Sequence, residues 1–424
     1  MRFARRIQKW PAAAWLFLLA ATTLSALGAG QGLRTSSFNA TKVCHAVSPG
    51  VTDQWCDNNC NASPPNCPPT LCACDGGAPT PAPPPATPTP APPPAEGGRV
   101  IGYIENWGWG NNLPAPASLA PLTDVIMAFA VTYNGNAAAS SCAAKQCVAA
   151  ADPLSYTNAA VSSLAKSAAY LKTAGLMGKD GKGANTAAPP RRVLLSIGGW
   201  NMGHCTRDAT TGQYTWCQGP ADREDVVNCW DYCFPDPAGF AAQLVALARG
   251  NGFDGVDLDY EGPDASLSAA EQDFVARTTA ALRAQWPAAV ISHTLMEIYM
   301  ENSASAVALT KRVAADIDYV SIQFYNFGPA PLAQTAALVA VTRALADGAF
   351  GGDPSKVVAG LTISEANSDN YFVPTGKDAC TIVRALQQNF TAAAGGIGGI
   401  MLWESRTDAD GAWAGAVKSC LAHS

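Results

Sequence analysis

Four carboxylates lie within one eight-residue stretch, Asp254-Gly255-Val256-Asp257-Leu258-Asp259-Tyr260-Glu261, which otherwise has the composition of a buried strand. Side chains alternate between the two faces of a strand, so Asp257, Asp259 and Glu261 share one face and Asp254 lies on the other. Three like charges on one buried face cannot all be ionised at low cost in free energy. At least one of them should hold a proton near neutral pH, as an acid catalyst requires.

The acidic stretch belongs to a series of eight strand-like runs, most of them separated by alanine-rich helical stretches. The strand-like runs are 100–105, 124–131, 192–198, 253–260, 289–295, 319–324, 357–363 and 397–403, and the helical stretches include 156–174, 237–249, 266–286, 332–345 and 378–390. This alternation predicts an α/β fold, a (β/α)8 TIM barrel. A doubly wound open sheet is the alternative, but no Gly-x-Gly-x-x-Gly motif follows the first run. In a barrel, Glu261 would lie at the C-terminal ends of the strands, where catalytic groups occur.

The third run ends in Ser196-Ile197-Gly198-Gly199-Trp200, beside the acidic stretch. If Ser196 points into the barrel, its buried hydroxyl needs a partner, and Asp257 on the next strand can supply one. The two glycines would let the backbone approach the acidic strand closely. On its own, Ser-x-Gly-Gly is more typical of an ordinary tight turn.

Polar and aromatic residues also mark the ends of the other runs. The sixth ends in Gln323-Phe324-Tyr325-Asn326 and the eighth in Leu402-Trp403-Glu404. Trp403 is either core packing, the usual place of a buried Trp, or a stacking platform for a sugar ring. Met296 and Glu297, after the fifth run, either line a subsite or are packing and a solvated charge. A long aromatic groove is suggested by Trp107, Trp109, Trp200, Trp216 and Trp230 in the loops after the first and third runs.

The acidic stretch, with Ser196-x-Gly198-Gly199 one strand earlier, resembles the signature pair of glycoside hydrolase family 18, the chitinase family. Gly102-Tyr103, the sixth-run motif and Trp403 match that family in order, over roughly residues 99–424. The resemblance implies a chitinase that cleaves β-1,4 bonds between N-acetylglucosamine units, and the features of its N-terminus and of its last connection, described below, make it a secreted and endo-acting one. It also implies a retaining, substrate-assisted mechanism, for which this family is an exception to the two-carboxylate scheme.

The resemblance further implies a role for each matching residue. Glu261 would protonate the glycosidic oxygen, while Asp259 would hold the acetamido N–H of the sugar and share a proton with Asp257. Tyr325 would donate a hydrogen bond to the acetamido carbonyl, and no metal or cofactor would be needed. The candidates for substrate binding are Trp403, Tyr103, Phe129, Gln323, Ser196, Trp200 and Met296.

Two departures from other family members bear on how the enzyme would cut. The sixth-run motif resembles the plant-type and some bacterial branches of the family. Only 33 residues separate Ile363 from Ile397, too few for the small α+β domain that many processive members insert there. One wall of the groove should be low, which favours endo-cleavage. An endo-β-N-acetylglucosaminidase acting on N-glycans and a chitin-binding lectin remain alternatives, although the lectins typically lose part of the acidic motif.

The segment before the barrel has three predicted parts. Residues 1–30 carry four basic side chains and then an apolar run, the layout of a signal peptide, with an uncleaved anchor as the alternative. Residues 36–76 hold six cysteines and would need three disulfides, or less plausibly a zinc site, to fold. This module either binds carbohydrate or is an inert cap. Residues 77–98 form a Pro/Thr-rich linker.

Charge and cysteine content complete the expectations for partners and compartment. Without the first thirty residues, 23 basic side chains face 33 acidic ones, which does not suit nucleic acid or an anionic membrane. We expect a monomer. Fourteen cysteines indicate an oxidising compartment. In the barrel we expect Cys142 to pair with Cys147 and Cys380 with Cys420. Two further disulfides would lie among Cys205, Cys217, Cys229 and Cys233.

Overall fold

The computed structural model divides the chain into two compact units, Met1–Ala82 and Pro83–Ser424. It describes residues 43–47, 56, 60, 72–74, 98–107, 109, 112–132, 147, 149–176, 191–207, 214–216, 226–264, 266–301, 304–325, 331–333, 335–364, 371–390 and 396–422. The predicted signal peptide and nearly all of the predicted linker lie outside these ranges. Within them, none of the helices has the length and apolar character needed to cross a membrane.

The first unit is held by disulfides more than by an apolar core. Strands Cys44–Ala46 and Cys72–Cys74 pair antiparallel. Cys44 is bonded to Cys74 and Cys56 to Cys72, while Cys60 is also disulfide-bonded. The buried apolar residues described in this unit are Cys44, Cys56 and Cys72. So small a unit cannot bury enough apolar surface by itself, and the predicted disulfide-rich module is confirmed.

The second unit is a closed barrel of eight parallel strands, as the sequence predicts. The strands are Arg99–Glu105, Asp124–Val131, Arg192–Gly198, Gly255–Asp259, Val290–Met296, Tyr319–Gln323, Val357–Leu361 and Gly399–Leu402. Each pairs with the next, and the eighth pairs with the first to close the ring. A short strand, Ala150–Ala151, adds to the second strand in the antiparallel sense.

Helices cover the outside of the barrel, and the five predicted ones are present with shifted ends. The longer helices are Leu164–Thr173, Pro237–Gly250, Ala269–Gln285, Ser305–Val313, Thr335–Ala349, Gly376–Asn389 and Ala412–Ala422. The first begins later than predicted because the Ser163 side chain caps it by accepting from the Lys166 N–H. The helix Ser305–Val313 was not predicted. Its N-cap residue, Ala304, makes no side-chain cap, so its start carries no signal in the sequence.

The fourth strand shows how the barrel sorts its side chains. Val256 and Leu258 join the apolar layer between strands and helices, so Asp257 and Asp259 point into the barrel. The barrel interior also holds an apolar and aromatic cluster: Ile101, Tyr103, Ile126, Ala128, Leu194, Val290, Tyr319, Tyr325, Val358 and Met401. Asp254 lies on the outer side, where it accepts from Lys172 Nζ at 2.6 Å. Its position is structural, as the alternation predicts.

The disulfides of the barrel differ in part from the expectation. Cys380 is bonded to Cys420, as predicted. Cys147, however, is bonded to Cys233 and not to Cys142, which lies outside the described residues, so the expected pairing of Cys233 within its own loop is wrong as well. Gln243 explains this partner, because its amide donates to the Cys147 carbonyl at 2.9 Å and accepts from the Ala149 N–H at 3.1 Å. The segment around Cys147 is thereby held against the helix that follows Cys233.

Candidate active site

Asp257 lies inside the barrel, and hydroxyl groups from three strands surround its carboxylate. Tyr103 Oη and Ser196 Oγ each donate to Oδ2 at 2.7 Å. From the fifth strand, Ser292 Oγ donates to Oδ1 at 2.6 Å and Thr294 Oγ1 at 3.2 Å. The hydrogen bond expected between Ser196 and Asp257 is therefore present. It forms because the two residues are register partners across the third and fourth strands.

Asp259 and Glu261 stand above Asp257 and share one donor. Gln323 Nε2 lies 3.1 Å from Asp259 Oδ1 and 2.9 Å from Glu261 Oε1. The two carboxyl groups are also hydrogen-bonded to each other. Asp259 is thus paired with Glu261 while hydroxyls surround Asp257, and the proton sharing between Asp257 and Asp259 that the resemblance implies stays a prediction. Both members of this pair are buried, with Asp259 2% and Glu261 8% exposed.

Burial keeps protons on this pair. It raises the pKa of Glu261 to about 7, against the hydrogen bonds from Gln323 and Asp259. The pKa of Asp259 lies well above its usual range because of burial, then the charges of Glu261 and Asp257. Burial also raises the pKa of Asp257, and the surrounding hydroxyls oppose that rise. These raised pKa values agree with the expected proton near neutral pH; burial is the largest cause for both acids, and the charges of Glu261 and Asp257 add to it for Asp259.

Glycines let the chain after the third strand approach the acidic strand. The Gly199 N–H donates to the Asp259 carbonyl at 2.9 Å. Gly198 has a φ of 123°, and a Cβ there would collide with the Asp259 carbonyl oxygen. A Cβ at Gly203 would collide with the Glu261 carbonyl oxygen. The Ser-x-Gly-Gly turn therefore does two things: it changes the direction of the chain, and it allows the close contact with the acidic strand.

Aromatic rings cover one side of the barrel mouth. The Trp403 ring lies 5.4 Å from Tyr103 in an edge arrangement and 5.8 Å from Phe129 at an interplanar angle of 27°. Trp107 stacks on Phe129 at 6.1 Å and is 46% exposed. Tyr325 is buried, and its pKa is raised by burial and then by the charges of Asp259 and Glu261. We call Trp403, Phe129 and Trp107 the aromatic platform.

Residues 99–370 match the family model described as Glycosyl hydrolases family 18. The chain belongs to glycoside hydrolase family 18. It is therefore a glycoside hydrolase, and the match covers the acidic stretch, the Ser-x-Gly-Gly turn and the sixth-strand motif. The family 18 resemblance expected from these motifs is confirmed.

Solved structures, two of them named as family 18 chitinases, share the fold at low sequence identity. A GH18 chitinase from Pseudoalteromonas aurantia is 22% identical, with a TM-score of 0.51 over 76% of this chain and 99% of that one. The Legionella pneumophila ChiA C-terminal domain is 20% identical, with a TM-score of 0.50 over 76% and 98%. A family GH18 chitinase from Chromobacterium violaceum is 19% identical, with a TM-score of 0.50 over 83% and 88%. No curated protein matches the chain significantly.

The remaining predicted residues of this family 18 barrel divide between the mouth and the core. Trp200 is 42% exposed and stacks on His204 at 3.7 Å. Met296 is buried and belongs to the larger apolar cluster, its role in a subsite staying a prediction, and Glu297 is buried too, not solvated. Trp109 and Trp230 also lie in the core. The side chain of Trp216 and residue Asn326 lie outside the described part. Of the four described tryptophans of the suggested groove, only Trp107 and Trp200 are exposed.

Ser292 and Thr294 are the functional neighbours that the sequence reasoning missed. Both lie on the fifth strand, two residues apart, and both donate to Asp257. Polar residues alternating with apolar ones in a strand between helices are a usable signal. Among the described residues, the only grouping of possible metal ligands is Cys44, Cys60 and Cys74, and all three sulfurs are in disulfides.

Proposed function

We propose that this family 18 hydrolase is a secreted, endo-acting chitinase that works by retaining, substrate-assisted catalysis. The observation that carries the mechanism is the buried, hydrogen-bonded pair of Asp259 and Glu261, which retains protons near neutral pH. A protonated Asp259 is a poor nucleophile toward a sugar. A substrate that supplies its own nucleophile, the 2-acetamido carbonyl oxygen of N-acetylglucosamine, removes the need for one from the protein.

The proposed reaction uses the two carboxyl groups in turn. Glu261 donates its proton to the glycosidic oxygen, and the acetamido oxygen of the same sugar attacks the anomeric carbon as the bond breaks. The carbonyl oxygen of the Asp259 carboxyl group accepts a hydrogen bond from the acetamido N–H, and the ionised Asp257 beneath it supplies the negative charge that stabilises the positive oxazolinium ion. Glu261, now ionised, takes a proton from water as that water opens the ring. Two displacements at the anomeric carbon give net retention.

The buried surroundings supply the other parts of the site. Tyr325 donates to the acetamido carbonyl oxygen, and its raised pKa keeps its proton in place. Gln323 keeps the two carboxyl groups together. The hydroxyls around Asp257 stabilise its negative charge below the oxazolinium ion. Trp403 forms the floor under the sugar, with Phe129 beside it.

Endo-action is supported by the short connection between the last two strands. Strand Val357–Leu361 is followed by helix Gly376–Asn389 and then by strand Gly399–Leu402. This connection has little room for a further domain. The substrate groove would therefore have a low wall on this side, over which the middle of a long polymer can enter. A product profile dominated by disaccharide from the earliest time points would count against endo-cleavage.

Secretion and polymer binding belong to the same proposal. Disulfides in both units favour an oxidising compartment. The disulfide-rich unit and the proline-rich linker would hold the enzyme on an insoluble substrate. If a variant lacking residues 31–98 is retained on chitin as well as the full chain, the unit is an inert cap.

The substrate is tested by offering colloidal chitin beside a high-mannose glycoprotein. We expect soluble oligosaccharides from chitin and no release of N-glycans. Release of N-glycans without chitin hydrolysis would identify an endo-β-N-acetylglucosaminidase. Binding of chitin with no hydrolysis of either substrate would identify a lectin.

A further inference from the structure

Arg406 joins two buried carboxylates at the seam where the first and eighth strands meet. Its Nη2 lies 2.6 Å from Glu105 Oε2, and its Nε lies 3.6 Å from Glu404 Oε1. Its backbone N–H donates to Glu404 Oε2 at 2.8 Å. Glu105 is 6% and Glu404 1% exposed, so this is not an ordinary surface ion pair.

Both carboxylates are next in the chain to residues that hold the aromatic platform. Glu404 directly follows Trp403. Glu105 directly precedes Asn106, whose side-chain amide accepts from the Phe129 N–H at 3.2 Å and donates to the Phe129 carbonyl at 3.0 Å. Trp107 comes next and stacks on Phe129. Displacement of either strand end would therefore move a ring of the platform.

The seam is tightly packed around the guanidinium group. Arg406 lies over the Trp109 ring at 5.8 Å, and the Trp109 indole N–H donates to the Glu105 carbonyl at 2.6 Å. A Cβ at Gly102 would collide with Ser405 Oγ, so the eighth-strand turn lies directly on the first strand. The guanidinium can reach both acids because its donors form a fixed planar fork.

The seam holds two acidic side chains, Glu105 and Glu404, and one basic side chain, Arg406. Burial raises the pKa of Glu105 to about 8; the charge of Glu404 adds to this rise and Arg406 opposes it. Burial also raises the pKa of Glu404, against hydrogen bonds and charge from Arg406. Without Arg406 the pKa of both carboxyl groups would rise further, and either of them, once ionised, would lie in a buried space with no cation beside it.

We propose that Arg406 is a positioning residue for hydrolysis, which joins the ends of the first and eighth strands and thereby fixes the aromatic platform beneath the sugar. This inference rests on the proposed function for the sugar that the platform supports. The bridge itself is a property of the fold.

The test compares Arg406→Ala with Arg312→Ala on a soluble N-acetylglucosamine oligomer. Arg312 is a matched control, because it is 43% exposed where Arg406 is 41%, and its partner Asp273 joins it to another helix on the outside of the barrel. We expect Arg406→Ala to lower kcat/KM at least about tenfold, with KM raised, and Arg312→Ala to change it less than about twofold. Equal behaviour of the two variants would overturn the proposal.

A double variant separates charge bridging from simple packing. Arg406→Ala combined with Glu105→Gln leaves one ionisable carboxyl group at the seam, so at pH 9, above the Glu105 pKa of about 8, we expect it to recover a large part of the lost kcat/KM. No recovery would mean that the guanidinium acts by filling space, which would contradict bridging. Should Arg406→Ala fail to fold, Arg406→Lys provides the same comparison. A single ammonium cannot span both acids, so we expect a smaller loss in the same direction, and wild-type kinetics would refute the bridge.

A measurement without substrate keeps this proposal separate from the proposed function. The near-ultraviolet circular dichroism spectrum depends on how aromatic rings pack, and in the wild type Trp403, Phe129 and Tyr103 lie in contact. We expect Arg406→Ala to change that spectrum and Arg312→Ala to leave it unchanged. If the wild type does not hydrolyse the oligomer, the proposed function fails while the spectra still test the bridge. An unchanged Arg406→Ala spectrum would count against it.

Discussion

At the scale of single residues, the chemistry of the site depends on which of its three carboxyl groups holds a proton. The sequence is enough to predict that Asp257, Asp259 and Glu261 share a buried face and cannot all be ionised. It does not reveal which of them keeps a proton, because that depends on hydroxyls from distant strands. Four hydroxyl groups favour the ionised form of Asp257, whereas the amide of Gln323 is divided between Asp259 and Glu261.

The pH dependence of hydrolysis follows from the Glu261 proton. Its pKa is raised from 4.5 to about 7, so the acid form is present below that pH and is lost as the pH rises through it. We expect kcat/KM on an N-acetylglucosamine oligomer to fall on the alkaline side with an apparent pKa near 7. An alkaline limb that begins only above about pH 9 would show that another group controls protonation.

At the scale of secondary structure elements, the sequence predicts the strands well because each is a short apolar run between helices. Contacts between elements are harder to predict from the sequence. The link between Cys147 and Cys233 joins loops after neighbouring strands, and the bridge from Arg406 to Glu105 joins strands that meet only when the barrel closes. The approach of the short helix Trp200–Gly203 to the acidic strand is of the same kind.

Gly203 tests whether that approach sets the position of the acid. A methyl group at Gly203 would meet the Glu261 carbonyl oxygen, so Gly203→Ala must push the two segments apart. We expect kcat to fall by roughly a hundredfold, because an ångström of misplacement has effects of that size. Gly415→Ala is the control, since a Cβ there has no atom within 4 Å. If both variants keep wild-type kcat, the close approach has no role in catalysis.

At the scale of the whole molecule, the barrel gives up stability to keep acids buried. Glu261 has a higher pKa folded than its usual value of 4.5, so the folded state holds a proton that the unfolded chain has released. The free energy of unfolding therefore decreases as the pH rises from about 4.5 to about 7. Glu105, with its pKa raised from 4.5 to about 8, also lowers the free energy of unfolding as the pH rises, up to about pH 8.

Thermal unfolding of Glu261→Gln would detect this cost. The amide cannot ionise, so we expect the variant to be more stable than the wild type at pH 8 by on the order of 2 kcal/mol. At pH 4 the two proteins should differ little, because Glu261 is then protonated in both folded and unfolded states. A variant less stable than the wild type at pH 8 would show that the carboxylate stabilises the fold.

The same substitution tests the central claim, that Glu261 is the acid of a chitin-cleaving site. The decisive measurement is the turnover of an N-acetylglucosamine oligomer by wild type and Glu261→Gln, with the dissociation constant of the oligomer measured for the variant. We expect turnover to fall by about a thousandfold or more while the variant still binds the oligomer, because the amide fills the same space but donates no acidic proton. Retention of most of the turnover by Glu261→Gln would contradict the account.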